Sequence, residues 1–161
     1  MKYKTSYCQS FDCSEEKLFS VITEAGNLKN FHPFCQENIP VEWPGDNAVD
    51  KLVYLNGKVF TRKITRWHES GYDLIITHRN IKTNVEWNII ADKDKPTLEI
   101  TLTPLFLPSN SMYRFFGFFF YVKPQLTRYL KAFFNGLDFF ISSGQQVSPN
   151  QFGRHARFAC G

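Results

Sequence analysis

Residues 124–144, PQLTRYLKAFFNGLDFFISSG, decide the architecture. Leu126, Tyr129, Leu130, Phe133, Phe134, Leu137, Phe140 and Ile141 recur at i, i+3, i+4 and i+7, the spacing of one face of an α-helix. Pro124 opens the segment at a position where its missing N–H costs nothing, and Gly144 closes it. Such a helix is roughly 30 Å long, enough to lie across a whole sheet.

Upstream, from Ile39 to Leu107, the apolar period changes from that of a helix to that of strands. Leu98, Ile100 and Leu102 alternate with Thr97, Glu99, Thr101 and Thr103. Val85, Trp87 and Ile89 share one parity, as do Tyr72, Leu74, Ile76 and His78. Alternation of this kind predicts an antiparallel sheet with one face covered and one wet. Asn56-Gly57 is the dipeptide of a tight hairpin, and Pro44-Gly45-Asp46-Asn47, Glu69-Ser70-Gly71 and Asp92 to Pro96 are turn signals. Ile39, Val41 and Trp43 read as a further strand, and Pro108 ends the sheet.

At the other end, Tyr3 to Phe11 reads as a first strand. Asp12 or Ser14 can cap a helix whose first turn carries Glu15 and Glu16, whose buried face is Leu18, Phe19, Ile22 and Ala25, and which stops at Gly26. Leu28 to Phe34 is a second short helical turn. The class is therefore α+β: a strand, two short helices, a run of antiparallel strands and one long helix, with residues 147–161 as a tail. Nothing divides residues 1–161 into more than one domain.

Seventeen Phe, seven Tyr and three Trp make 17% of the chain aromatic. That surplus implies a bulky core, a lined cavity or a greasy surface. A mean hydropathy of -0.31 and the lack of any stretch of roughly 18 apolar residues argue against a membrane span. The formal charge of +4 is spread along the chain with no basic run, so no nucleic-acid partner is expected. Met1-Lys2-Tyr3-Lys4-Thr5 lacks a signal-peptide core, and Cys8, Cys13, Cys35 and Cys160 have neither C-x-x-C nor zinc spacing. The expectation is a cytoplasmic protein with reduced thiols and neither metal nor cofactor. His32 and Cys35, three apart, lack further ligands nearby and read as packing.

The element order resembles the START-like superfamily, also called SRPBCC, which includes pollen-allergen-like ligand binders and the polyketide cyclase/dehydrase group. Gly71-Tyr72-Asp73-Leu74, Val85-Glu86-Trp87-Asn88-Ile89 and Asn150-Gln151-Phe152-Gly153 are similar to stretches in bacterial members. The resemblance implies a helix-grip fold, a curved antiparallel sheet of about seven strands wrapped on the last helix with an apolar cavity between them. It implies a ligand that is a lipid or other apolar small molecule. The alternatives are a cyclase- or dehydrase-like enzyme and an interaction domain with a filled core. The superfamily has no universal catalytic residue, and none is assigned.

Cavity candidates follow from the strand and helix parities: Tyr72, Leu74, Ile76 and His78; Trp87; Ile100 and Leu102; Tyr129 and Phe133. Phe60, Arg62, Ile64 and Arg66 share one parity of their strand, Val59, Thr61, Lys63, Thr65 and Trp67 the other, and neither is cleanly apolar. Arg62 or Arg66 inside the cavity would pair with a ligand anion; the reading is weighted toward the solvent face or rim. His78 is either a cavity acid/base or, more commonly for such a residue, hydrogen-bonded at a strand end. In an enzyme, His78, Arg62 or Tyr72 would orient a substrate or move a proton. Phe115, Phe116, Phe118, Phe119 and Phe120 cannot easily all face inward from one short segment. They read either as a lid or anionic-membrane contact flanked by Arg114, Lys123, Arg128 and Lys131, or as the start of the last helix, buried on the sheet. The sequence leaves the ligand's identity and the oligomeric state open.

Overall fold

Strands β2 (Cys35–Glu42), β3 (Val49–Tyr54), β4 (Val59–His68), β5 (Gly71–His78), β6 (Ile81–Ile90) and β7 (Thr97–Pro104) follow one another as an antiparallel meander. The computed structural model describes residues 3–159; Met1, Lys2, Cys160 and Gly161 lie outside the described residues. Strand β1 (Thr5–Ser10) pairs with β7, Thr5 opposite Leu102 and Ser10 opposite Thr97, so the sheet runs β1-β7-β6-β5-β4-β3-β2. Between β1 and β2 stand α1 (Glu15–Thr23) and α2 (Leu28–Phe31). After β7 come α3 (Ser111–Gly117), a π-helical turn (Phe118–Val122) and α4 (Lys123–Ser143). This is the helix-grip arrangement: a seven-stranded curved antiparallel sheet closed on one face by the last helix.

Local sequence explains the element ends. Ser14, not Asp12, caps α1, its hydroxyl accepting from the Lys17 N–H at 3.1 Å, with Glu15 and Glu16 at the positive end of the helix. Gly144 sits at φ 69°, and its N–H bonds to the Phe140 carbonyl, so a residue without a Cβ ends α4. The core is built from one parity of each inner strand (Ile64, Leu74, Trp87 and Ile100 among them) against Leu130, Phe133, Phe134 and Leu137 of α4.

Two expectations are corrected. The long helix does not open at Pro124. It begins at Asn110, whose Oδ1 accepts from Met112 and Tyr113 N–H, and passes through the π turn, where the Lys123 N–H reaches back five residues to the Phe118 carbonyl. A proline cannot supply the normal i to i−4 bond, and the π turn is the local rearrangement that lets the helix continue past it. Second, Arg66 does not share a face with Arg62. A register shift between Ile64 and Arg66 turns Arg66 outward to Asp73, 2.9 Å away, and brings Trp67 onto the inner face opposite Tyr72. The strand expected at Ile39 and Val41 is β2; both side chains are exposed, because β2 is a sheet edge whose pairing with β3 is itself broken by register shifts.

Helix α4 is held by one close approach. A Cβ on Gly136 would stand 2.1 Å from the Phe31 carbonyl oxygen and 3.1 Å from Pro33, so only glycine lets α4 meet α2. Gly136→Ala is expected to destabilise the fold by about 1–3 kcal/mol, because the helix must shift to relieve the overlap. Urea denaturation measures this, and an unchanged midpoint would contradict the approach.

Candidate functional site

Between the inner face of the sheet and the first half of α4 lies a cavity of about 320 Å³. Its wall is largely aliphatic and aromatic. Leu52 and Phe60 stand on β3 and β4, Leu74 and Ile76 on β5, Val85 and Trp87 on β6, and Ile100 and Leu102 on β7. Leu126, Leu130 and Phe133 of α4 form the opposite side. The exposed members of the wall mark its mouth: Lys58 in the β3–β4 turn, Phe106 and Pro108 after β7, Tyr121 of the π turn and Arg157 of the tail.

Two buried polar clusters touch this wall. In the first, the Arg62 guanidinium donates to Asp50 Oδ2 at 3.1 Å and to the Tyr72 hydroxyl at 3.4 Å, and lies 6.0 Å from the Trp87 ring centre. Tyr72 donates in turn to the Ile22 carbonyl at 3.0 Å. Arg62 and Asp50 are 3% and 1% exposed, so this is a dry ion pair on adjacent strands, Asp50 directly opposite Arg62. Burial opposes the arginine's charge, but Asp50 and then Tyr72 outweigh it and raise its pKa, while burial pushes Tyr72 up to about 12. Asp50 Oδ1 is buried with no hydrogen-bond partner among the described residues.

The second cluster was not foreseen as a site. The Phe34 N–H donates to His32 Nδ1 at 3.2 Å, His32 Nε2 lies 2.7 Å from the Tyr129 hydroxyl, and that hydroxyl lies 2.9 Å from the hydroxyl of Tyr54. Because Nδ1 accepts, the proton of the neutral ring is assigned to Nε2, which donates to Tyr129. Burial, with Arg62 adding to it, lowers the His32 pKa to about 3. Burial raises Tyr54 well above its usual range and Tyr129 to about 12. All three groups are neutral at ordinary pH. Cys35 likewise stays a thiol, pushed up to about 12 by burial.

The structure sorts the sequence candidates as follows. Leu74, Ile76, Trp87, Ile100, Leu102 and Phe133 border the cavity, as do Arg62, His78 and Tyr129. Arg62, weighted toward solvent in the sequence, is instead buried, because β4 places it in the Phe60 and Ile64 row. Tyr72 does not border the cavity: it lies behind Trp87, stacked on it at 5.0 Å. His78 closes β5, bonded through Nδ1 to the Val59 carbonyl at 2.7 Å and stacked on Phe60. Sequence reasoning missed His32 and Tyr54. It also missed His155 and Phe158, which the tail brings to the wall. Phe158 stacks on Tyr54 at 4.3 Å, and His155 Nε2 meets the Gln125 carbonyl at 3.1 Å. The parity of Leu52 and Tyr54 on β3 could have flagged Tyr54; the irregular tail carries no periodic signal.

The phenylalanine block is helical, and its residues part ways. Phe118 is 1% exposed and packs on Tyr3, so its place among the lid candidates is corrected: it is core. Phe119 is half-buried under the Lys123 ammonium. Phe115, Phe116 and Phe120 face water, Phe120 at 74%. None of the five borders the cavity, whereas Gly117, Tyr121 and Val122 of the same segment do. No helix among the described residues is long and apolar enough to cross a membrane.

No protein-family model and no curated protein sequence matches the chain. Solved structures do. DynU16, a protein of the dynemicin biosynthetic locus, aligns with a TM-score of 0.72 and 11% identity over 91% of this chain. The chain spans only 49% of DynU16. A START superfamily protein from Mycobacterium smegmatis aligns at 0.67 with 13% identity, covering 88% of this chain and 99% of that one. The structure of Ara h 8.0201 aligns at 0.62 with 17% identity, covering 87% and 97%. At such identities the likeness is one of fold, and the fold is that of START-like proteins.

The neutral His32 has a consequence for stability. Its pKa of about 3 in the fold lies below the 6.5 of an unconstrained histidine, so the unfolded chain takes up a proton that the folded chain refuses. The contribution is complete above pH 6.5 and is lost as pH falls toward about 3, at up to about 1.4 kcal/mol per pH unit. His155, also lowered by burial, adds a loss of the same sign that a His32 variant retains. Urea midpoints between about pH 6 and pH 4 are therefore expected to fall more steeply for the wild type than for His32→Gln. Parallel slopes would mean that His32 protonates inside the fold without cost.

Proposed function

We propose that the chain binds and carries an apolar small molecule, with lipids the leading class, in the cavity under α4. The observation that carries this reading is the cavity itself. Protein interiors pack closely, yet here about 320 Å³ stays open behind a wall of Leu, Ile, Val, Phe and Trp from both the sheet and α4. Pockets that take small molecules are of this size and kind, apolar with a few placed polar groups. A solid aromatic core, one of the alternatives, is at odds with that space.

An enzyme of the cyclase or dehydrase kind has less support. Arg62 and His78 both border the cavity, but Tyr72 lies behind the wall with its hydroxyl engaged by Ile22 and Arg62. Arg62 is tied to Asp50, and His78 Nδ1 to the Val59 carbonyl. Arg62 and His78 can orient a ligand, whereas the Arg62–Tyr72 hydrogen bond lies behind the wall and makes no proton-transfer pair at the cavity.

Loading from an anionic membrane surface is part of the same proposal. Met112, Tyr113, Phe116, Phe120 and Tyr121 are exposed on the helix that borders the mouth, and Leu105 and Phe106 are exposed beside them. Arg128 and Lys131 are exposed on the following turns. Basic side chains next to exposed aromatics suit the headgroup boundary of anionic lipids.

Two measurements test these statements. Leu102→Trp pushes an indole into the cavity and is expected to weaken binding of a fluorescent lipid probe by at least about tenfold, or about 1.4 kcal/mol. Unchanged affinity in a folded variant would place the probe elsewhere. Phe116→Ser/Phe120→Ser alters only residues in water, so its melting temperature should match the wild type while co-sedimentation with anionic vesicles is lost. A wild type that ignores anionic vesicles would end the membrane half of the proposal.

A further inference from the structure

The hydrogens of the His32, Tyr129 and Tyr54 cluster do not balance, and the imbalance points into the cavity. Two hydrogen bonds link the three side chains, His32 to Tyr129 and Tyr129 to Tyr54. His32 Nε2–H supplies the first, because its Nδ1 already accepts from the Phe34 N–H. The second uses one of the two hydroxyl hydrogens. One O–H is left over, on Tyr54 if Tyr129 donates to it and on Tyr129 if the reverse, and both residues border the cavity. No third hydrogen-bond partner of either hydroxyl stands among the described residues. A buried donor left unmade costs more than a typical bond contributes, so the spare O–H calls for an acceptor.

The charge around it decides which acceptor. Arg62 also borders the cavity and acts electrostatically on His32, Tyr54 and Tyr129. Its charge, however, is already balanced by Asp50, 3.1 Å away and itself away from the cavity wall. The buried polar edge therefore sums to zero, one cation, one anion, one neutral imidazole and two phenols, while the cations Lys58 and Arg157 stand in water at the mouth. A ligand carboxylate or phosphate brought there would be an uncompensated buried charge. A hydrocarbon would leave the O–H unpaired.

We propose that the Tyr54/Tyr129 pair, polarised by neutral His32, anchors an uncharged acceptor oxygen, a ketone, aldehyde or ester carbonyl, on an otherwise apolar ligand. This rests on the carrier reading and narrows its ligand class: the cargo is neutral and carbonyl-bearing, and neither a free acid nor a plain hydrocarbon. His32 is a positioning residue: its Nε2–H donates to Tyr129, so that one phenolic hydrogen stays free for the ligand.

Three near-isosteric probes test it by displacement of an environment-sensitive fluorescent lipid: acetylnaphthalene with a neutral carbonyl, ethylnaphthalene with none, and naphthoate with a charge. The wild type should bind acetylnaphthalene roughly three- to tenfold more tightly than ethylnaphthalene, with naphthoate the weakest. Hydrogen counting gives a further, non-additive expectation. Tyr54→Phe and Tyr129→Phe each still leave a free hydrogen, so each single variant keeps a preference for the ketone. Tyr54→Phe/Tyr129→Phe keeps one as well, because loss of the Tyr129 hydroxyl frees the His32 Nε2–H, and His32 borders the cavity. His32→Leu/Tyr54→Phe/Tyr129→Phe leaves no side-chain donor in the cluster, and its affinities for the acetyl and ethyl compounds should converge to within about twofold. Retained binding of ethylnaphthalene and a cooperative melt show that the triple variant is folded. Equal binding of the two neutral probes by the wild type, tightest binding of naphthoate, or a ketone preference that survives in the folded triple variant overturns the proposal. The wild-type ranking decides the matter even if the triple variant does not fold. If none of the three displaces the lipid, the carrier reading itself falls and takes the anchor with it.

Discussion

Everything else in this fold depends on how α4 meets the rest of the chain at Gly136. There the helix backbone comes so near the Phe31 carbonyl that no side chain fits between them. Phe133 and Phe134 pack on either side of that contact, Phe133 edge-on to Phe31 and to Trp87, and Phe134 against Phe11 and Tyr7. The contact lies in the second half of α4, and the residues of α4 that border the cavity, Gln125 to Phe133, all lie before it. Close packing at Gly136 and the open cavity thus belong to successive stretches of one helix.

Its polar fittings are harder to account for by stability. A buried ion pair such as Arg62–Asp50 is often no better than well-packed apolar residues of the same volume, since two charges must leave water. The pair also leaves Asp50 Oδ1 without a partner among the described residues. The His32, Tyr129 and Tyr54 chain adds three more polar groups where Leu and Phe would pack at less cost. Groups kept at a cost to folding, and gathered at one cavity rather than scattered through the core, are what a recognition site requires. A second use is specificity of fold: Arg62 and Asp50 face each other across β3 and β4, so a one-residue slip of that pairing would strand both charges.

How much of this could be read from the residues alone follows from the range of each signal. The helix face from Leu126 to Ile141 and the alternation of β5, β6 and β7 are local periodicities, and they locate the sheet, the last helix and most of the apolar wall. Leu74, Ile76, Ile100, Leu102 and Phe133 follow directly. Features that break a period were not legible. The irregularity between Ile64 and Arg66 separates two arginines that strict alternation puts together, and the π turn carries the helix past a proline that locally reads as its start. Contacts between distant positions were not legible either. His32 and Tyr129 are 97 residues apart and Tyr54 and Tyr129 are 75 apart, so His32 beside Cys35 showed only packing. The tail gave no clue that Phe158 lies on Tyr54.

The same separation of local from distant signals explains the aromatic surplus, which the composition exposes but cannot divide. Along the last helical segment the rings divide among three environments. Phe118 and Phe134 are core; Tyr129 and Phe133 border the cavity; Phe116 and Phe120 stand in water. Tyr121 joins the last two, since it borders the cavity and is 53% exposed, its hydroxyl held by Arg157 at 2.6 Å. An exposed ring costs solubility and contributes little to folding, so three environments on one continuous helix are not what core packing alone would select. They suit the proposed carrier role, in which a surface of rings leading into a cavity of rings would spare an apolar cargo a passage through water.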